Sequence, residues 1–350
     1  FPFFSTVAAY LVMPLTHDYI TAQTVMHALV VSLSITGYLW CFSKLLRRCF
    51  PISRLTASVV TCLFLLVHFL ALRSADSGNQ YLFYCVDLNC YYNYLLPALL
   101  NASLVMSLIH NPRMADFLKS GAPAARGCFC IVVYFAIFSN LPASGILAAW
   151  AGSVVLLSLI AHGKTKQWKG ILSENGFPLL VLVAWFISAV FELSGGRAAS
   201  AGGSTPVYYQ LYLACKYLAR ILLDLNRLYQ LTLALIVVCF VVCVLAGRKK
   251  DKALPCPGLG VVLIAAAAFG VYLLMLSSAV GPTAIRRSEN LFGLFFLMDL
   301  CGMLMLTALA SRYPKLMLAL PLVTVFLLSG VDTRAETFLE SNFAGVRPAV

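Results

Sequence analysis

Thr16-His17-Asp18-Tyr19-Ile20-Thr21-Ala22 places two ionisable side chains side by side between two apolar runs, residues 1–15 and 24–43, and the reading of that junction decides the fold. Each run approaches the length at which a helix crosses a hydrocarbon core of about 30 Å. The junction is therefore a turn between two membrane spans. A carboxylate at a helix junction has an ordinary use as a solvated cap. A functional use for Asp18 needs support from the rest of the chain.

Composition extends the membrane reading to the whole protein. Of 350 residues, 61% are hydrophobic and 11% charged, against roughly 25% charged in soluble domains; mean hydropathy is +0.89. Apolar runs recur from end to end, without the turn-punctuated alternation of a membrane barrel, so the expected fold is all-α and polytopic. About eleven spans are predicted, near 1–15, 24–43, 55–72, 94–109, 128–141, 144–161, 177–193, 229–246, 259–278, 291–310 and 316–330. They form a single transmembrane domain over 1–350, with an external amphipathic helix at 207–228 and an external tail at 331–350. The chain opens on Phe1 inside an apolar run that lacks a basic leader, which reads as a trimmed first span rather than a signal peptide.

The net charge of +12 does not indicate a nucleic-acid partner, because the basic residues cluster in short inter-span loops. The loops at 44–54, 110–126, 162–176, 247–258 and 311–316 hold 16 Lys and Arg, and the alternate set holds 9 in more residues. Basic residues favour the cytoplasmic side. Asp18 then faces outward, and the protein is expected in a bacterial cytoplasmic membrane with its active face external. No GxxxxGK[ST] run is present, and Cys128-x-Cys130 has no nearby histidine, so neither a P-loop nor a zinc site is expected. Cys85 and Cys90, in the external loop, have the spacing of a small disulfide loop.

The same outer side carries the remaining candidates. His27 and His68 lie in spans at the depth of Asp18, where packed or hydrogen-bonded histidines are ordinary. The tyrosines at 81, 84, 91, 92 and 94 suit an interfacial belt. Glu192 ends the seventh span, just before Ser194-Gly195-Gly196-Arg197. From 211 to 225, apolar residues repeat at helical spacing opposite Lys216, Arg220, Asp224 and Arg227. Arg286 and Arg287 stand together where arginine is otherwise scarce, a pattern that suits an anionic ligand. Asp299 lies inside the tenth span, where a charge is expensive.

The order of these features resembles a bacterial family of polytopic membrane proteins allied to the GT-C glycosyltransferases. The carrying pieces are His17-Asp18-Tyr19, Asn93-Tyr94-Leu95-Leu96-Pro97, Ser194-Gly195-Gly196-Arg197, and Gly281-Pro282 with Arg286. The acidic pair of that family is reduced here to His-Asp, and its long first external loop is missing. The resemblance implies a GT-C-like fold and transfer of a sugar from a polyprenyl-phosphate donor to an envelope glycan or lipid acceptor at the outer face, among membrane lipids and without nucleic acid. It implies Asp18 as catalytic base with Glu192 as its rival, and His17, Tyr19, Asn93, Arg197, Arg286 and Arg287 as substrate-binding residues. No resident metal site is indicated, and a divalent cation is compatible with the chemistry. The competing classes are a transporter or flippase, using Asp299, Glu192 and the histidines as a path, and a noncatalytic envelope-assembly protein.

Overall fold

The computed structural model describes residues 2–70, 88–109, 121–162, 172, 174–194, 206–223, 230, 233–234, 236–237, 241 and 256–313. Among them there are helices and no strands. Six helices are long and apolar enough to cross a membrane: α2 (Tyr19–Cys49), α4 (Leu88–Ile109), α6 (Leu141–His162), α7 (Gly176–Ser194), α9 (Leu259–Val280) and α10 (Ser288–Arg312). Three more are apolar but shorter, α1 (Pro2–Thr16), α3 (Arg54–Leu70) and α5 (Pro123–Phe138). The protein is thus a polytopic, all-helical membrane protein. The spans expected at 229–246 and 316–330 lie wholly or largely outside the described residues, as do Cys85 and the tail.

Sequence explains the helix limits. Pro123 and Pro282 stand at the first helical position of their elements, where a missing N–H costs nothing. α9 ends at Gly281, whose φ of 133° is open to glycine and strained for other residues. At 31 residues, α2 is about 46 Å long at 1.5 Å per residue, so it overshoots the apolar core. Its last turns carry Lys44, Arg47 and Arg48, and the Lys44 ammonium rests 4.6 Å from the centroid of Trp40, an arrangement in which the stem stays in an apolar layer while the charge stays wet.

The chain divides into two compact units, one of residues 1–44 and 85–201, the other of 45–84 and 202–350. In the first, α6 packs against α4, α5 and α7, and Asn101 ties α4 to α5 by donating to the carbonyls of Pro97 and Ala136, both at 2.9 Å. In the second, α10 is the enclosed element, packed against α3 and α9. Of its most apolar stretch 89% is buried, against 22% for α9. Asp299, deep in α10, is fully buried.

The amphipathic helix expected at 207–228 is observed as α8 (Val207–Leu223), lying against α9 and the 3-10 turn Pro282–Arg286. The stripe it covers differs from the expected one. Gln210 and Ala214 are buried, while Leu211 and Leu222 are exposed. The apolar face is broader than the surface that α9 and the turn offer, so packing selects only part of it.

Candidate functional site

The Thr16–Ala22 junction is built as a helix stop followed by a helix start. His17 adopts a left-handed backbone, φ 54°, and its N–H donates to the Met13 carbonyl at 2.8 Å, ending α1 in the way a glycine usually does. Asp18 then caps α2: the Thr21 N–H donates to Asp18 Oδ2 at 2.7 Å, and the Ala22 N–H to the Asp18 carbonyl at 3.0 Å. The Thr16 hydroxyl donates to that same carbonyl at 3.0 Å. The Thr21 side chain, then its N–H, hold the Asp18 carboxyl below its ordinary value. A carboxylate so stabilised is a weaker proton acceptor, since general bases work best with a pKa near the working pH.

Asp18→Asn is therefore expected to preserve the cap, because asparagine caps as well as aspartate, whereas Asp18→Ala lowers the melting temperature of the detergent-purified protein. The native carboxyl sits below its unfolded value, so its stabilisation is complete above that value, about pH 4, and is lost as pH falls through the lowered one. The gap between the unaltered protein and Asp18→Ala should close on acidification.

His17 and Tyr19 are exposed on the same corner. Asn93 is exposed and donates from Nδ2 to Asn89 Oδ1 at 2.9 Å. Glu192 is exposed in the last turn of α7, where the negative end of the helix dipole disfavours an acid. All of these belong to the first unit, and Arg286 and Arg287 to the second. Arg197 lies outside the described residues. Among those residues, no three His, Cys, Asp or Glu side chains stand close enough to hold a metal ion.

Within the second unit, Gly281 breaks α9, the 3-10 turn follows, and Asn290 braces it by donating to the Ala284 carbonyl at 2.9 Å. Ile285 is buried beneath the turn, which leaves Arg286 and Arg287 exposed at the start of α10. The Arg286 guanidinium lies 5.6 Å from the centroid of Tyr217 on α8, within cation–π range. Arg287 is the N-cap residue of α10, which no side chain caps.

Among the described residues of the first unit, one polar arrangement joins residues far apart in sequence. His27 is 3% exposed. Its Nδ1 meets the Tyr92 hydroxyl at 2.6 Å and its Nε2 meets Gln23 Oε1 at 2.9 Å; Gln23 Nε2 in turn donates to the Ser5 carbonyl at 3.1 Å. Phe4 stacks on Tyr92 with centroids 5.3 Å apart, and the neighbouring Tyr91 hydroxyl pairs with Ser34 Oγ. Two of the three helices involved carry a π-helical segment here, Ala8–Val12 in α1 and Tyr91–Leu95 in α4. Such bulges are frequent at functional sites.

By sequence these tyrosines suit an interfacial belt, and Gln23 belongs to no motif. The available signal was Gln23 and His27 at i, i+4, on one face of an otherwise apolar span. Beside them runs a groove of about 580 Å³, within the usual range for ligand sites. Its walls include Tyr19, Ile20, Gln23, His27, Ser32 and Leu88. From Tyr19 to Ser32 it follows α2 for about 20 Å at 1.5 Å per residue. Comparison of the chain with family models, with characterised proteins and with solved structures yields no match.

Proposed function

We propose that this protein is a membrane glycosyltransferase that takes a sugar from a polyprenyl-phosphate donor at the external face and delivers it to an envelope glycan or lipid. The observation that carries this reading is the α2 groove, lined by apolar Ile20, Ala28, Val31 and Leu88 together with polar Gln23, Thr24 and His27, whose first lining residue, Tyr19, directly follows Asp18. An amphiphile with an isoprenoid tail suits that mixed lining: the tail takes the apolar side chains, and the reacting head lies toward the end where α2 is capped. The exposed pair Arg286 and Arg287 gives the second unit a surface suited to a lipid phosphate, since guanidinium forks match phosphate oxygens.

The reading is tested with the purified protein in nanodiscs and a photoactivatable polyprenyl phosphate. Adducts should concentrate on residues 19–32 and Leu88, and unlabelled polyprenyl-phosphate sugar should suppress them. Transfer is followed as release of polyprenyl phosphate from radiolabelled polyprenyl-phosphate hexoses supplied with an amphiphilic alcohol. Adducts scattered over all helices, with no release, would overturn it.

One observation favours a second reading, a transporter or flippase. Asp299, His68 and His27, all inside spans, are nearly or fully buried, and ionisable groups within membranes often mark substrate or proton paths. Movement of the lipid probe across sealed vesicles without release of sugar would select it.

A further inference from the structure

Cations of the second unit gather where α8 meets the Pro282–Arg286 turn. Arg286 and Arg287 are exposed at the end of the turn, and Lys216 and Arg220 are exposed on α8. The two elements pack together, and the Arg286 guanidinium over the Tyr217 ring joins them at this point. At 3.6 residues per turn, Arg220 falls on the flank of α8 beside Tyr217, and Lys216 comes next around the helix. Arg220 stands three residues from Tyr217 and four from Lys216, the spacings at which helix side chains are neighbours. Further round the same flank come Leu223, Tyr212 and Tyr208, all exposed.

This grouping has a cost. Like charges four apart on a helix repel, as do adjacent arginines, and among the described residues none of these cations forms an ion pair. Glu289, the acid nearest Arg287 in sequence, is half-buried in the first turn of α10. An anionic ligand offsets the repulsion, and the number of forks says which. One guanidinium takes a pair of phosphate oxygens, which is all that the phosphodiester of a lipid-linked sugar has free. A diphosphate carries more charge and has oxygens for a fork on each phosphorus. The neighbouring strip of leucine and tyrosine decides the source. Basic, tyrosine and apolar side chains on one amphipathic helix suit the bilayer interface, where the phosphates of lipids lie.

We propose that α8 and the turn form a binding surface for an isoprenoid lipid with a diphosphate head. Arg286 takes one phosphate and Arg220 the other, Lys216 and Arg287 flank them, and the chain runs over Leu223, Tyr212 and Tyr208. Such a lipid competes with the singly phosphorylated donor for Arg286. That consequence rests on the transfer reading above, and the binding itself does not.

The test is isothermal titration calorimetry of the purified protein, in nanodiscs of neutral lipid, with farnesyl diphosphate, farnesyl phosphate and inorganic diphosphate. Farnesyl diphosphate should bind about tenfold tighter than either of the others, the scale of one added charge-assisted contact. Arg220→Gln should bring it to the level of farnesyl phosphate, and Arg220→Lys, which keeps the charge without the fork, should lose most of the preference. Arg54→Gln, at the exposed start of α3 in the same unit, should change neither affinity, which separates this surface from positive charge in general. Equal affinity for farnesyl diphosphate and farnesyl phosphate, inorganic diphosphate bound as tightly as its farnesyl ester, or an affinity indifferent to Arg220→Gln each overturns the proposal. In the transfer assay, farnesyl diphosphate should raise the apparent KM of the donor and leave kcat unchanged; inhibition that excess donor does not relieve overturns the shared use of Arg286. If the unaltered protein transfers no sugar, the transfer reading fails, and the calorimetric ranking alone upholds or rejects the diphosphate surface.

Discussion

Arg286→Lys and Arg287→Lys are each expected to weaken use of a polyprenyl-phosphate donor about tenfold, a loss of about 1.4 kcal/mol, without lowering the yield of folded protein. Both side chains are exposed where α10 begins, so neither substitution removes packing. Lysine keeps the charge, and with it attraction to anionic headgroups of about 1 kcal/mol per residue. What it loses is the planar fork that meets two phosphate oxygens at once. The two arginines are expected to differ in one respect. Arg286 is held over Tyr217, so Tyr217→Leu should weaken donor use through Arg286 while leaving the effect of Arg287→Lys intact. Donor affinity is read from the concentration dependence of polyprenyl phosphate release, in nanodiscs of neutral lipid so that headgroup attraction is absent. Equal affinity in both lysine variants would make these residues surface anchors and strengthen the transporter reading.

Gly302→Ala should destabilise the second unit by about 1–3 kcal/mol, the usual cost of overpacking a filled interior. Gly302 lies in α10, the most enclosed of the spans. A methyl group there would overlap Ile236 Cγ1 and Cδ1 and stand 3.5 Å from Ile236 Cβ. Isoleucine is stiff at its first side-chain torsion in a helix, so it yields little. Small residues at helix crossings let backbones approach closely in a membrane, where packing replaces the hydrophobic effect as the force between spans. Thermal unfolding in detergent, followed by a thiol-reactive dye, should show a lower midpoint for Gly302→Ala and recovery when Ile236→Ala is added, because the second change restores the space. No recovery would mean that the loss arises from something other than this contact.

The sequence by itself determined that the chain is helical and crosses a membrane repeatedly, because the length and hydropathy of each run report transfer from water into an apolar phase. The expected spans at 24–43, 144–161, 177–193, 259–278 and 291–310 coincide closely with α2, α6, α7, α9 and α10, and the amphipathic run from 211 coincides with α8. Hydropathy could not say which span is enclosed. α6 and α10 share a mean hydropathy of 2.0, yet 56% of one and 89% of the other is buried; lipid tails and helix interiors are equally apolar, so both suit the same residues. The candidate site divided in the same way. A carboxylate at a helix start was legible as a cap, since a cap depends only on neighbours in the chain, and Asp18 bonds Thr21, three residues on. The link from His27 to Tyr92 spans 65 residues, and no local pattern encodes it. Only the packing of α1, α2 and α4 brought a donor and an acceptor within 2.6 Å, away from water that would otherwise have satisfied them separately.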